Sequence, residues 1–166
     1  VCEGSDKGRR CDKEIFDELR RDAPKTITVC HVMKPEDVDM ALLHPNVMLA
    51  SDGLFNNGQG HPRGAGSFPR FIKNYVKTGK ISLYDAVNKM TTMQAEKLCL
   101  DKKGRLNVGS DADIVIFDLE KISDEATFDD PAAAPCGIEY VIIAGEVAAC
   151  GQEIVDETLG RSVRKF

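Results

Sequence analysis

Long apolar runs are absent from this 166-residue chain, and no segment approaches the ~18 residues that span a bilayer. A charged region followed by an apolar stretch is missing from its start, so no targeting segment is read there. A basic balance is lacking too: 22 Lys and Arg against 27 Asp and Glu leave a net charge of −5, with no electrostatic footprint for nucleic acid. Neither a membrane nor nucleic acid is therefore expected as a partner. Cys2, Cys11, Cys30, Cys99, Cys136 and Cys150 form no C-x-x-C pair or regular spacing, which argues against a zinc ribbon or a disulfide framework. Reduced thiols and a cytoplasmic location are the expectation. Cys30, in an apolar run, and Cys99, beside Leu98 and Leu100, read as small buried hydrophobes. The glycines at 58, 60, 64 and 66 lack the strand-to-helix G-x-G-x-x-G context, so phosphate binding is not indicated.

What is present changes in texture near Gly104. Before it, helical spacing predicts a helix over Asp12 to Arg21 with Ile15, Phe16 and Leu19 on its apolar face, and Thr26 to Cys30 reads as a β-branched strand. Pro35, followed by Glu36 and Asp37, suits a helix start, with Val38, Ala41 and Leu42 as its buried face and His44-Pro45 as its end. Val47 to Ala50 reads as a second buried strand. Helices follow over Phe68 to Val76, over Ser82 to Met90 with Asp85 three residues after the capping serine, and over Thr91 to Leu98. After Gly104, short β-branched runs lie between turn residues: Ile114 to Phe117, Tyr140 to Ile143 and Glu146-Val147 around Ala144-Gly145.

The candidate chemistry sits at the end of the second strand. Val47-Met48-Leu49-Ala50 runs into Ser51-Asp52-Gly53, which taken alone is an ordinary turn. In a parallel α/β barrel, however, the C-terminal end of a strand is the catalytic face. Arg63 follows Asp52 by eleven residues in His61-Pro62-Arg63-Gly64-Ala65-Gly66, read as a glycine-rich loop. A guanidinium fork there suits either solvent or a carboxylate.

The stretch Asp52 to Phe71, with its acid, its eleven-residue spacing to His-Pro-Arg and the Phe68-Pro69-Arg70-Phe71 that follows, resembles the D-aminoacylase (N-acyl-D-amino-acid deacylase) family of zinc amidohydrolases. The resemblance continues through Met90-Thr91, Gly104 to Asp118, Ala126 to Pro131, Gly137 to Val141 and Gly160-Arg161. It implies an α/β fold: the C-terminal part of a (β/α)8 TIM-type barrel over 1–103, followed by part of a small β-sandwich domain over 104–166. A complete barrel takes roughly 250 residues, so the chain is expected to be a C-terminal fragment, inactive alone and completed by the missing N-terminal part of the barrel. His31 and the pair Asp111 and Asp113 are read as a hydrogen-bonding residue near the site and as turn formers.

The activity implied is hydrolysis of a small-molecule N-acyl-D-amino acid by zinc-activated water. Asp52 is expected both to carry the proton and to contact the metal, whose other ligands lie upstream, and Arg63 to bind the substrate carboxylate. Two alternatives stand beside it: a cyclic amidohydrolase of the dihydroorotase or hydantoinase kind, and a non-catalytic remnant or split subunit.

Overall fold

The computed structural model describes residues 1, 4–56 and 59–163, so the expectations for Cys2 and for the glycine at 58 lie outside the described residues. The elements in chain order are α1 (Lys13–Asp22), α2 (Pro35–Leu43), β1 (Phe55–Asn56), β2 (Gln59–Gly60) and α3 (Arg63–Phe71), which continues as a π turn (Ile72–Val76). Then come α4 (Leu83–Met90), α5 (Thr92–Lys97), β3 (Ile114–Phe117), β4 (Ile138–Ile143), β5 (Glu146–Cys150) and β6 (Glu153–Ile154).

Short polar side chains and proline start the helices, as the sequence suggests. Asp12 Oδ1 accepts the Ile15 amide at 2.9 Å, Ser82 Oγ accepts the Asp85 amide at 3.0 Å, and Pro35 opens α2. The apolar faces are less deeply covered than expected: Ile15 is buried, but Phe16 is 50% exposed, and α2 has no fully buried residue.

The two predicted strands, Thr26 to Cys30 and Val47 to Ala50, enter no sheet. A strand is fixed by ladders to its neighbours, and neither segment has one among the described residues. The second is held differently. The Leu49 amide donates to the Lys89 carbonyl at 3.2 Å, the Gln94 side-chain amide donates to the Leu49 carbonyl, and Leu49 is buried with Phe71, Tyr75 and Ala86. Leu42, Leu43, Val76, Ile81 and Met90 pack around them. Phe71 and Tyr75 stack at 4.9 Å between ring centroids, so one core joins α2, the 47–50 segment, the α3 helix with its π turn, and α4.

Two polar ties reinforce that core. The Lys89 ammonium, 4% exposed, donates to the His44 carbonyl and to the Val47 carbonyl at 2.8 Å, linking α4 to the end of α2 and the start of the 47–50 segment. Burial lowers its pKa, opposed by the nearby charge of Asp85. Tyr75 Oη donates to Asp39 Oδ1 at 2.6 Å, and Lys80 pairs with the other carboxylate oxygen at 2.6 Å. Burial and the bond to Asp39 push the tyrosine up to about 12.

Beyond residue 104, the order β3-β4-β5-β6 makes one antiparallel sheet. Ala144 and Gly145 both take positive φ (52° and 90°) in the two-residue turn between β4 and β5, as a type I′ hairpin requires. Asp111 and Asp113 both pair with Lys103, and Asp113 Oδ1 accepts the Ala144 amide at 2.9 Å, which pins that turn. The described residues form one sheet layer there. No helix among the described residues is long and apolar enough to cross a membrane.

Candidate active site

Asp52 and Arg63 meet. Arg63 Nη2 donates to Asp52 Oδ2 at 3.2 Å, and Arg63 Nε donates to the Asp52 carbonyl at 2.8 Å. Two glycines permit the approach: a Cβ on Gly53 would lie 2.1 Å from Gly64 Cα and 2.6 Å from Gly64 N, so the backbones touch directly. Asp52 takes a left-handed conformation (φ 45°), which aspartate tolerates better than most residues. The Asp52 side chain is 88% exposed and that of Arg63 49%, so the pair itself contributes little to stability, on the order of 0–1 kcal/mol. Backbone contact, rather than ion pairing, holds the arrangement.

Arg63 is the first residue of α3, and the turn before it is built by His61-Pro62. His61 Nδ1 accepts the Arg63 amide at 3.1 Å, and the His61 carbonyl accepts the Gly64 amide at 3.0 Å. Both donors belong to the helix's first turn, which has no intrahelical partner for them. The His61 ring lies edge-on to Phe128 at 5.2 Å, and His31 meets Phe128 the same way at 5.5 Å. Burial, then the nearby charges of Arg63, Arg70 and His31, hold His61 below its ordinary pKa, which keeps Nδ1 free to accept.

Phe128 is delivered by a folded loop. The Thr127 amide donates to the Asp130 carbonyl at 3.0 Å, and Thr127 Oγ1 accepts the Asp130 amide at 3.0 Å. Upstream of it, Asp124, with a side chain 3% exposed, accepts Arg70 Nε at 2.5 Å and the Ala126 amide at 2.9 Å. Lys73 Nζ reaches Ser123 Oγ at 2.9 Å, and Lys77 Nζ reaches the Glu120 carbonyl at 2.6 Å. Arg70, Lys73 and Lys77 thus fasten segment 120–124 along α3 and its π turn. A Cβ on Gly66 would sit 1.9 Å from Asp124 Oδ1, so this glycine makes room for the buried carboxylate.

The pattern described as "Amidohydrolase family" matches residues 33–149, which includes all of these contacts except that of His31 with Phe128. The chain belongs to the amidohydrolase family, among the D-aminoacylases. It is 41% identical over 114 residues to the N-acyl-D-glutamate deacylase of Alcaligenes xylosoxydans xylosoxydans, a match covering 68% of this chain and 23% of that relative. A D-aminoacylase structure described for the functional role of its binuclear metal center superposes with a TM-score of 0.75 at 33% identity, covering 80% of this chain and 28% of the other. The N-acyl-D-glutamate deacylase from Bordetella bronchiseptica, complexed with zinc and a phosphonate inhibitor that mimics the tetrahedral intermediate, gives a TM-score of 0.67 at 37% identity, over 70% and 25% of the two chains. The chain spans about a quarter of the length of the relatives it matches.

In this amidohydrolase chain several sequence expectations are corrected. Arg63 lies on a helix rather than in a loop, because His61 and Pro62 start α3 five residues before Phe68. Cys30 and Cys99 are exposed, not buried: the run that carries Cys30 enters no sheet, and Cys99 lies past the end of α5 in a left-handed turn (φ 55°). Asp124 and Phe128 were given no role, Gly53 was read only as a turn residue, and Gly64 and Gly66 were weighed only for phosphate and as loop residues. Their signal was weak, because a close backbone approach or a ring contact leaves no local pattern. Among the described residues, no three His, Cys, Asp or Glu side chains converge as a metal site. The carboxylate of Asp52 alone does not make one.

Proposed function

We propose that the protein hydrolyses the amide bond of N-acyl-D-amino acids, giving a carboxylate and a free D-amino acid, with Asp52 carrying the proton and Arg63 anchoring the substrate. The observation that carries this reading is the meeting of Asp52 and Arg63 at the start of α3 in a chain of the D-aminoacylase family. Residues 1–103 are assigned to the last βα units of a (β/α)8 barrel and 104–166 to its β-sandwich portion.

Asp52 Oδ2 accepts from Arg63, while the whole carboxylate remains open to solvent on its other side. From there it takes a proton as water attacks the acyl carbon, and returns it to the nitrogen as the C–N bond breaks. Nε and Nη2 of Arg63 engage Asp52, two of the guanidinium's five donors, so others can face the α-carboxylate of the amino acid. Relatives are named for N-acyl-D-glutamate and N-acyl-D-aspartate, substrates that carry such an α-carboxylate. Asp52 would be one contact of a zinc whose other ligands lie upstream, and that metal would supply an acidified water at neutral pH.

The test is steady-state hydrolysis of N-acetyl-D-glutamate and N-acetyl-D-methionine by the full gene product. Asp52→Asn should lower kcat by about 10²–10⁴-fold, the usual contribution of a positioned acid/base. Arg63→Ala should act chiefly on KM, at a cost of about 2–5 kcal/mol. Turnover of a cyclic imide or ureide in place of both N-acyl substrates would replace this reading with a cyclic amidohydrolase. No turnover of any of them by metal-loaded protein would leave the non-catalytic alternative.

A further inference from the structure

Two His-Pro-x segments occur in the chain, and both make the same turn. In His44-Pro45-Asn46, the imidazole Nδ1 accepts the Asn46 amide at 3.2 Å and the His44 carbonyl accepts the Val47 amide at 3.1 Å. In His61-Pro62-Arg63 the corresponding bonds are 3.1 and 3.0 Å. An acceptor three bonds from Cα, bonding the amide two residues on, is the geometry of an Asx turn, and proline at the second position fixes φ for it. The first turn ends α2 and makes no contact with Arg63. The second sets the direction of the helix whose first residue is Arg63.

We infer that His61 is a positioning residue for Arg63: its neutral Nδ1 and its carbonyl hold the first turn of α3 so that the guanidinium stays on Asp52. Phe128 fixes the ring from the other side, edge-on at 5.2 Å, so the C-terminal segment contributes to the setting of the site. The ring accepts the Arg63 amide and meets Phe128 rather than Asp52, which separates its role from proton transfer. This inference rests on the assignment of Arg63 as carboxylate anchor and adds what orients it.

Asparagine and glutamine distinguish positioning from mere occupancy. Asn Oδ1 stands where His Nδ1 stands and can close the same turn, whereas the longer Gln side chain cannot place its oxygen there. The experiment is a KM and kcat comparison on N-acetyl-D-glutamate with the full, metal-loaded gene product. His61→Ala and His61→Gln should raise KM by about three- to tenfold, the range equivalent to one ordinary hydrogen bond, with kcat little changed. His61→Asn should restore KM, and His44→Ala, which breaks the matching turn elsewhere, should leave it alone. In an Arg63→Ala background, His61→Ala should add nothing. An unchanged KM in His61→Ala, no rescue by asparagine, or a full effect that persists without Arg63 would overturn the inference. If Arg63→Ala itself leaves KM unchanged, the anchor assignment fails and this inference falls with it, an outcome distinct from failure of the His61 variants alone.

Discussion

Replacing Gly53 with alanine should damage the site without touching either of its charged residues. The added Cβ would lie 2.1 Å from Gly64 Cα and 2.6 Å from Gly64 N, both backbone atoms of the first turn of α3. Carbon atoms in contact sit at ~3.5 Å or more, so the loop and the helix would have to part by about 1.4 Å. The Arg63 Nη2 to Asp52 Oδ2 distance is already 3.2 Å, and a shift of that size carries it past hydrogen-bonding range. Displacements of about 1 Å at a reacting geometry cost about 10²-fold. Overpacking of this kind also destabilises by about 1–3 kcal/mol. The assay is kcat/KM on N-acetyl-D-glutamate for the full gene product, with a thermal melt of the same samples. Gly160→Ala is the control, since nothing lies within 4 Å of a Cβ there. A fall of about 10²-fold in Gly53→Ala beside an unaffected Gly160→Ala is expected. Equal activity in both variants would refute the claim that direct Gly53 to Gly64 contact sets the pair.

Three further outcomes follow from the same contacts. Asp124→Ala removes the acceptor of Arg70 and of the Ala126 amide from a side chain 3% exposed, and should cost about 2–4 kcal/mol, read as a lower denaturant midpoint. Lys89→Met keeps the aliphatic stem but drops the bonds to the His44 and Val47 carbonyls, leaving both acceptors without that donor, and should destabilise by about 1–3 kcal/mol in the same measurement. For His61 the sign follows from its lowered pKa: the unfolded chain binds the proton more readily, so its contribution is complete above pH ~6.5 and is lost as pH falls from there through the folded value. The melting temperature of the parent should therefore drop relative to His61→Asn between pH 7 and 5, and parallel curves would contradict the assignment of Nδ1 as acceptor.

The sequence by itself marked the features that depend on neighbours along the chain. Asp12, Pro35 and Ser82 start helices because a cap or a fixed φ acts within three or four residues, and Ala144-Gly145 turns a hairpin for the same local reason. The candidate pair, Asp52 and Arg63, was also legible, through residue type, the eleven-residue spacing and family resemblance. Their contact was not. It depends on two glycine backbones meeting face to face, and a glycine announces what it permits without saying what approaches it. Arg70 with Asp124, and His61 with Phe128, join residues 54 and 67 positions apart, where only packing decides the partner. Strand character shows the same division. Val47 to Ala50 has the composition of a buried strand, yet a strand exists only by its ladders, and here the segment is held by Lys89 and Gln94 instead. Local propensity thus set the elements, and the tertiary structure chose which side chains face one another, because contact energy depends on distance in space rather than along the chain.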